Sequence, residues 1–531
     1  QYEYPVGLNS YSVGNGWGAG PWNAGSGSDP WAHGWGTSYS TGIGQQLRLW
    51  TNDNFGFDLV FAPRGGPIMY WKDSSGVNTR ASLLSDLADA ATSVTDASTF
   101  GSGAVSITVT STAAPYIYPY MYITGTGIAA GTYVQSTYTT GSTTVPISSP
   151  TTSGSSGNYS FSYAGAFAPS ATYQVITSAI QEFVIAFGSN PYSPADPATD
   201  FNPMLVRWSD QANPYQWIPQ QENQSGEYLL TNGSYIMGAR ATRQEILVWT
   251  DTALYSMQYI GVPYVWGFQI LMDNITVMSP NSMVTVNNVT YWMGLDRFYM
   301  YSGRVEVLPC ALRQYIFEDI NQDQAYQVFC GTNNAFNEIW WFYVSISGGG
   351  TSVDRYVVYN YLDRVWYYGN MARTAWYQSG LSKYPIAADY NSRLLYHENG
   401  NDDQSTSTPV PISAYCQSSD FDIGDGHNFG FVWRILPDVN FNGSNISGPS
   451  VTMTVKPRQN SGTPYGSADN PQVQSAQNYT VLPQYTIQEF TGQVYTRLRG
   501  RQMSFRIQSD DLGVAWQLGS PRIDIRPDGR R

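Results

Sequence analysis

Charge is the scarcest ingredient of this 531-residue chain. Asp, Glu, Lys and Arg together make up 12%, about half of what a soluble globular protein normally carries. Lysine is almost missing: Lys72, Lys383 and Lys456 are its three occurrences. A free monomer usually stays dispersed through a strongly charged surface of mixed sign, and this chain has little material for one. The 3 histidines, His33, His397 and His427, fall in different regions without metal-ligand spacing. The 3 cysteines, Cys310, Cys330 and Cys416, cannot form a disulfide framework and none lies in a Cys-x-x-Cys. They are expected as small buried hydrophobes. No apolar run reaches the roughly 18 residues of a membrane-spanning helix, and no signal peptide is expected from the residues after Gln1. The 26 basic residues against 39 acidic ones give a net charge of −13, which argues against a nucleic-acid clamp, whose affinity would need clustered Lys and Arg. The imbalance is uneven. Residues 1–409 hold 29 acids and 15 bases, whereas residues 410–531 hold 10 and 11.

What replaces charge is glycine, with 51 residues, and aromatics, with 41 Tyr and 17 Trp. Tyr and Trp are also the residues that anchor buried interfaces. The composition therefore points to an assembly subunit or a large binding surface. Residues 1–45 form a Gly/Trp-rich extended arm in which Trp17, Trp22, Trp31 and Trp35 are spaced to lay indoles onto another surface. Gly and Pro there disfavour helix.

From residue 46 onward short apolar runs alternate with turns, the signature of β-hairpins. Leu59-Val-Phe61 and Ile68-Met-Tyr-Trp71 flank Pro63-Arg-Gly-Gly66, and Ile246-Leu-Val-Trp249 turns at Asp251 into Leu254-Tyr-Ser-Met-Gln258. Asp210, Asp251 and Asp296 each follow an aromatic-bearing strand, at the roughly 40–50-residue period of a β-propeller blade. Residues 97–165, nearly devoid of charge and rich in Ser, Thr and Gly, alternate in the period of strands. They are expected as a small β module inserted in the outer strand of a blade, joined to it by two loop crossings. Residues 410–531 return to clean alternation, as in Val451-Thr-Met-Thr-Val-Lys456 and Arg522-Ile-Asp-Ile-Arg526. The expected fold is all-β. A β-propeller-like core (46–96 and 166–409) carries the inserted module (97–165) and is followed by a C-terminal β-sandwich-like domain (410–531). Two short helices are expected, Ala81–Thr92 and Leu312–Ala325.

Catalytic signals are poor. There is no Gly-x-Ser-x-Gly, no phosphate-binding loop and no His-Glu-x-x-His. Asp420, Asp422 and Asp425 resemble part of a calcium loop, but the sharp-turn glycine and the distal glutamate are missing. Glu398, Asp402 and Asp403 can be posed as glycosidase carboxylates only if they face each other across a sugar, and polar turns explain them more simply. The expectation is no catalytic residue, no cofactor and no metal. Exposed aromatics leave two functions open, a sugar-binding receptor protein or a ring sealed by aromatic subunit contacts.

Particular segments then carry a resemblance. Leu47-Arg-Leu-Trp50, Asn54-Phe-Gly56 and Leu59–Trp71 open the series, followed by Ile246–Tyr259, Gly261-x-Pro263, Ser279-Pro280-Asn281, Tyr291-Trp-Met-Gly294 and Phe298–Gly303. Gly500-Arg-Gln-Met503, Trp516-x-Leu-Gly519 and Arg522-x-Asp-x-Arg-Pro-Asp-Gly-Arg-Arg531 close it. In this order the segments resemble virion proteins of tailed bacteriophages, the tail nozzle or tail tubular protein B type of short-tailed phages. The resemblance spans most of the chain except residues 97–165. It implies a propeller-based subunit of a hexameric ring in the virion tail, below a tail adaptor protein, carrying tail fibres or spikes. It also implies that genome DNA passes through the lumen without specific binding, since six copies at −13 each repel a polyanion. The alternative is a host-glycan-binding adhesin. On the nozzle expectation the Trp arm clamps a neighbouring subunit. Deleting residues 1–45 should then leave folded monomers that no longer form rings by sedimentation, and rings of normal stability would refute the clamp.

Overall fold

The structure, a computed structural model, describes residues 13–14, 39–40, 49–87, 94–162, 167–192, 201–220, 223–378, 382–422, 426–463, 465–467, 470–471 and 482–530. The chain divides into two compact units, Gln1–Leu394 and Leu395–Arg531.

Six antiparallel sheets make up most of the first unit. Sheet I contains strands Trp50–Phe55, Asp58–Pro63, Met69–Trp71 and Ser82–Leu83. Sheet II runs from Thr172–Ser178 through Phe183–Ser189 and Asn202–Trp208 to Gly226–Leu229. Sheets III, IV, V and VI begin at Ile236, Met283, Phe329 and Ala375, a spacing inside the expected period. In each sheet the strands pair in chain order.

The strand sequences follow from burial on both faces. In Phe183–Ser189, Val184 and Ala186 join the core shared with sheet I, while Phe183, Ile185 and Phe187 join the core shared with sheet III. In Ile246–Thr250, Val248 faces sheet II, and Leu247 and Trp249 face sheet IV. In Glu338–Tyr343, Ile339, Trp341 and Tyr343 pack toward sheet IV, and Trp340 and Phe342 toward sheet VI. A strand covered on both sides reads as a continuous apolar run, where a one-sided strand would alternate. Five cores thus join the six sheets in order. Among the described residues no sixth core joins sheet VI to sheet I. This is the propeller-like arrangement expected, as a series of packed sheets.

Several expectations change. Residues 81–92 do not form a helix where they are described: Ser82–Leu83 is a strand and Leu84–Asp86 a single 3-10 turn, because Leu84 is needed in the core between sheets I and II. The second helix is shorter than expected, Arg313–Asp319, with a 3-10 stretch at Gln322–Gln327. The module comes after the outer strand of sheet I and does not interrupt it. Its strands, among them Ser106–Thr108, Tyr122–Thr124 and Thr144–Pro146, enclose a separate core of Ile107, Ile117, Val134, Val145 and Phe161. It is also docked by more than two crossings. Tyr120 meets the rings of Phe167 and Tyr192 at 6.1 Å each, and Gln220 Nε2 donates to the Pro119 carbonyl at 2.9 Å.

The second unit begins at Leu395, not at residue 410. Asp402–Asp403 pairs with Val410–Pro411, and the Asp402 carboxylate accepts the Gly513 N–H at 2.7 Å, which ties both aspartates to the C-terminal sheets. The unit is a β-sandwich-like pair of sheets. A three-stranded sheet of Val494–Gly500, Gly430–Leu436 and Arg522–Pro527 contributes Val432, Ile435 and Leu498 to the core. A five-stranded sheet centred on Ser450–Arg458 and Gln502–Ser509 contributes Met453, Val455 and Ile507.

Arg207 is a buried cation within the apolar strands, with 1% of its surface exposed. Its guanidinium donates to the carbonyls of Asn190, Phe167 and Trp217 at 3.1, 2.9 and 3.2 Å, and Glu227 lies 3.8 Å away. Burial pulls its pKa down to about 10, with Glu227 and Tyr192 opposing, so it stays charged at neutral pH. Removing it strands three buried carbonyls. Arg207→Met should therefore lower stability by about 3 kcal/mol or more, read as a shift in the urea midpoint of tryptophan fluorescence.

Candidate functional site

Trp17, Trp22, Trp31 and Trp35, the expected interface residues, lie outside the described residues. The carboxylates singled out in the sequence have local partners. Asp420 accepts from Arg458 Nη1 at 2.6 Å and from the Tyr465 hydroxyl at 3.0 Å, and Asp422 accepts from Gln502 at 2.7 Å. Asp425 lies outside the described residues. Asp403 accepts the Ser405 N–H at 2.8 Å, closing its turn. Among the described residues no group of three or more His, Cys, Asp or Glu is placed to hold a metal ion. An open cleft of about 390 Å³ in the second unit is lined by Pro411, Ile446, Asp510 and Asp511 among others. Its two carboxylates are engaged by the hydroxyls of Ser413 and Ser450 at 2.7 and 2.9 Å.

The turn aspartates divide. Asp251 and Asp296 occupy equivalent turns between the second and third strands of sheets III and IV, whereas Asp210 follows the third strand of sheet II. Asp251 accepts the Ser234 N–H at 2.7 Å. Asp296 pairs with Arg297 and Arg313 at 2.7 and 3.2 Å, and the hydrogen bond from Arg297 is the main cause of its lowered pKa.

A polar cluster gathers where the sheets begin. The first strand of sheet II leaves backbone donors without a strand beside them, and side chains of sheet I take them up. Thr51 Oγ1 accepts the Val175 N–H at 3.1 Å and Asp53 the Thr177 N–H at 2.9 Å. The Gln174 amide spans to sheet III, donating to the Ala239 carbonyl at 2.8 Å and accepting its N–H at 2.7 Å. Arg64, on the turn of sheet I, reaches the carbonyls of Ile236 and Met237 at 3.0 and 3.1 Å and lies 4.2 Å over the Tyr173 ring. Burial lowers its pKa, opposed by the nearby phenols of Tyr326, Tyr173 and Tyr235. No sequence pattern announced this cluster, whose members meet across more than 170 residues.

The cysteines are less buried than expected, Cys310 and Cys330 being only half-buried. Cys310 and Cys330 pack on the core of sheets IV and V, where burial pushes their thiols up to about 11 and about 12. Cys416 is exposed, on the outer strand of the five-stranded sheet.

A second feature without chemistry is the hairpin Ala253–Gly261 and Val265–Asp273 of sheet III. No charged residue occurs between Thr252 and Met272. Gly261, at φ +79°, supplies the left-handed residue its turn needs. Around it Ile260, Val262 and Tyr264 are 57%, 70% and 76% exposed. Ile270 and Met272 on the outer strand are exposed as well, as is Leu229 on the outer strand of sheet II.

Glu338 is a buried carboxylate with no cation beside it among the described ion pairs. It accepts from Trp340 Nε1 at 3.0 Å and Asn333 Nδ2 at 3.4 Å. Burial raises its pKa, and hydrogen bonds from Tyr367, Trp340 and Asn333 offset part of the rise. A carboxyl that holds its proton more tightly folded than unfolded stabilises most when protonated. Stability should then fall as pH rises from the ordinary glutamate range through the raised value. Glu338→Gln should flatten that fall and be the more stable protein at neutral pH, measured as urea midpoints against pH. Parallel profiles for the two proteins would refute the assignment.

No known family profile matches the chain, and no curated protein matches it. Among solved structures, an exo-β-1,3-galactanase from Phanerochaete chrysosporium bound to β-1,3-galactotriose aligns at 10% identity over 91% of this chain and 97% of that chain, with a TM-score of 0.22. The same enzyme with galactose aligns at 12% identity over 80% and 100%, with a TM-score of 0.17. Scores this low carry no argument about the fold or activity of this chain.

Proposed function

We propose that the chain is a structural virion protein of a short bacteriophage tail: a nozzle subunit that forms a hexameric ring, lets genome DNA pass, anchors fibres or spikes and catalyses no reaction. The observation that carries this reading is the uncharged apolar hairpin of sheet III, joined by the exposed Tyr228 of sheet II, whose ring stacks on Phe268 at 4.3 Å. Soluble monomers rarely expose contiguous apolar patches beyond a few hundred Å². An assembly subunit covers such a surface with its neighbours, which also accounts for a chain with so little charge. Six sheets locked through five cores suit the stiffness a conduit wall needs. The 29 acids against 15 bases of residues 1–409 supply repulsion toward DNA. The ordered segments from Leu47 to Arg531 that resemble nozzle proteins give the reading its biological frame.

The test is the mass of the purified protein in solution, with negative-stain images of the same peak, alone and with the tail adaptor protein. The expected species lies near six times 58.8 kDa and shows a central hole. A monomer under both conditions that binds host surface polysaccharide would replace this reading with the adhesin.

A further inference from the structure

The surplus of arginine in the C-terminal part of the chain is gathered on one face. In the three-stranded sheet of the second unit, Arg434 stands opposite Tyr495 and Asp524, while Phe431 stands opposite Arg499 and Arg526. The residues between these rows, Val432, Ile435 and Leu498, turn into the core, so the rows themselves face outward. Arg497, between Tyr495 and Arg499 in period two, and Arg522, two before Asp524, share that face. Trp433 stacks with Tyr495 at 6.4 Å, and the guanidiniums of Arg434 and Arg526 lie 4.8 and 5.0 Å over its ring. Against these five arginines stand Asp524, paired with Arg434 at 2.5 Å, and Asp528, paired with Arg499. Arg497, Arg522 and Arg526 are exposed and have no carboxylate partner among the described ion pairs. In a chain of net charge −13, this face is a local excess of fixed cations interleaved with aromatic rings.

We propose that this sheet face binds the backbone of duplex DNA, with Arg497, Arg522 and Arg526 on phosphates. Guanidiniums suit phosphate because their planar fork donates two parallel hydrogen bonds. The Trp433 ring under Arg434 and Arg526 holds their guanidiniums in place, and phosphate contacts by themselves carry no sequence preference. The choice of DNA over other polyanions rests on the nozzle reading. The face then gives passing DNA one weak, sequence-independent contact where the rest of the chain repels it.

The experiment uses the full chain and a fluorescein-labelled DNA duplex of about 20 base pairs, followed by anisotropy. Three phosphate contacts predict about a fortyfold loss of affinity between 50 and 200 mM salt. Arg497→Glu/Arg526→Glu should weaken binding at least tenfold. Arg80→Glu/Arg243→Glu, which changes net charge equally at exposed arginines of the first unit, should stay within about twofold of wild type. No binding at 50 mM salt, equal losses in the two double variants, or stronger competition by polygalacturonate than by unlabelled DNA would each overturn the proposal. If the Glu variant fails to fold by circular dichroism, Arg497→Gln/Arg526→Gln is measured against the same outcomes. A ring that ignores DNA removes this inference and leaves the nozzle reading. A chain that binds DNA but stays monomeric with the adaptor and binds host polysaccharide does the reverse.

Discussion

The first unit depends on burying each inner sheet on both faces. Once sheets II to V have neighbours on either side, nearly every strand position between them must be apolar, and charge is confined to turns, edges and outer surfaces. That constraint accounts for runs such as Ile246-Leu-Val-Trp249 and Glu338-Ile-Trp-Trp-Phe-Tyr343. It also creates a second problem. Sheets packed face to face leave their first strands with unpaired backbone groups at the inner edge. Here the neighbouring sheet's side chains satisfy them: Thr51 and Asp53 along one edge and Gln174 along another. The same logic holds at Arg207, where one buried cation serves three carbonyls that no strand could reach.

The two-faced burial decides how much of the fold was legible in the sequence. Apolar runs bounded by turns identified the strands of sheets II to V, and one-sided alternation identified the sandwich strands. The all-β class and the order of propeller-like core, module and sandwich follow from those two patterns. Residues 81–92 misled because Leu, Ala and Asp suit a helix locally, while the packing of Leu84 between two sheets overrides that preference. Asp210 misled because its turn comes one strand later than those of Asp251 and Asp296, and a spacing in residues does not count strands.

The polar sites were legible only in part. Arg207 is a lone cation inside Met204-Leu-Val-Arg-Trp208, a break in an apolar run that marks a buried partner. Arg64 and Gln174 carry no such mark, since carbonyls and amides of distant strands complete them. Glu338 heads an apolar run that gives no sign of its burial, since the groups that hold it, Asn333, Trp340 and Tyr367, come from three strands of its own sheet. The arginine face of the sandwich was visible as a charge balance of 10 acids to 11 bases in residues 410–531. Strand register was needed to show that five of those bases share one side of one sheet.

The place of the module has a consequence for the nascent chain. Sheet I ends at Leu83 and the first strand of sheet II begins at Thr172, so the whole module leaves the ribosome between the two halves of a single core. At about 5–20 residues per second, Val60, Ala62 and Tyr70 wait several seconds for their partners. Meanwhile the module can close around Ile107, Val134 and Val145. Synthesis therefore favours a domain that folds first in the middle of another that is half made. The unpaired apolar face of sheet I becomes the segment most in need of a chaperone.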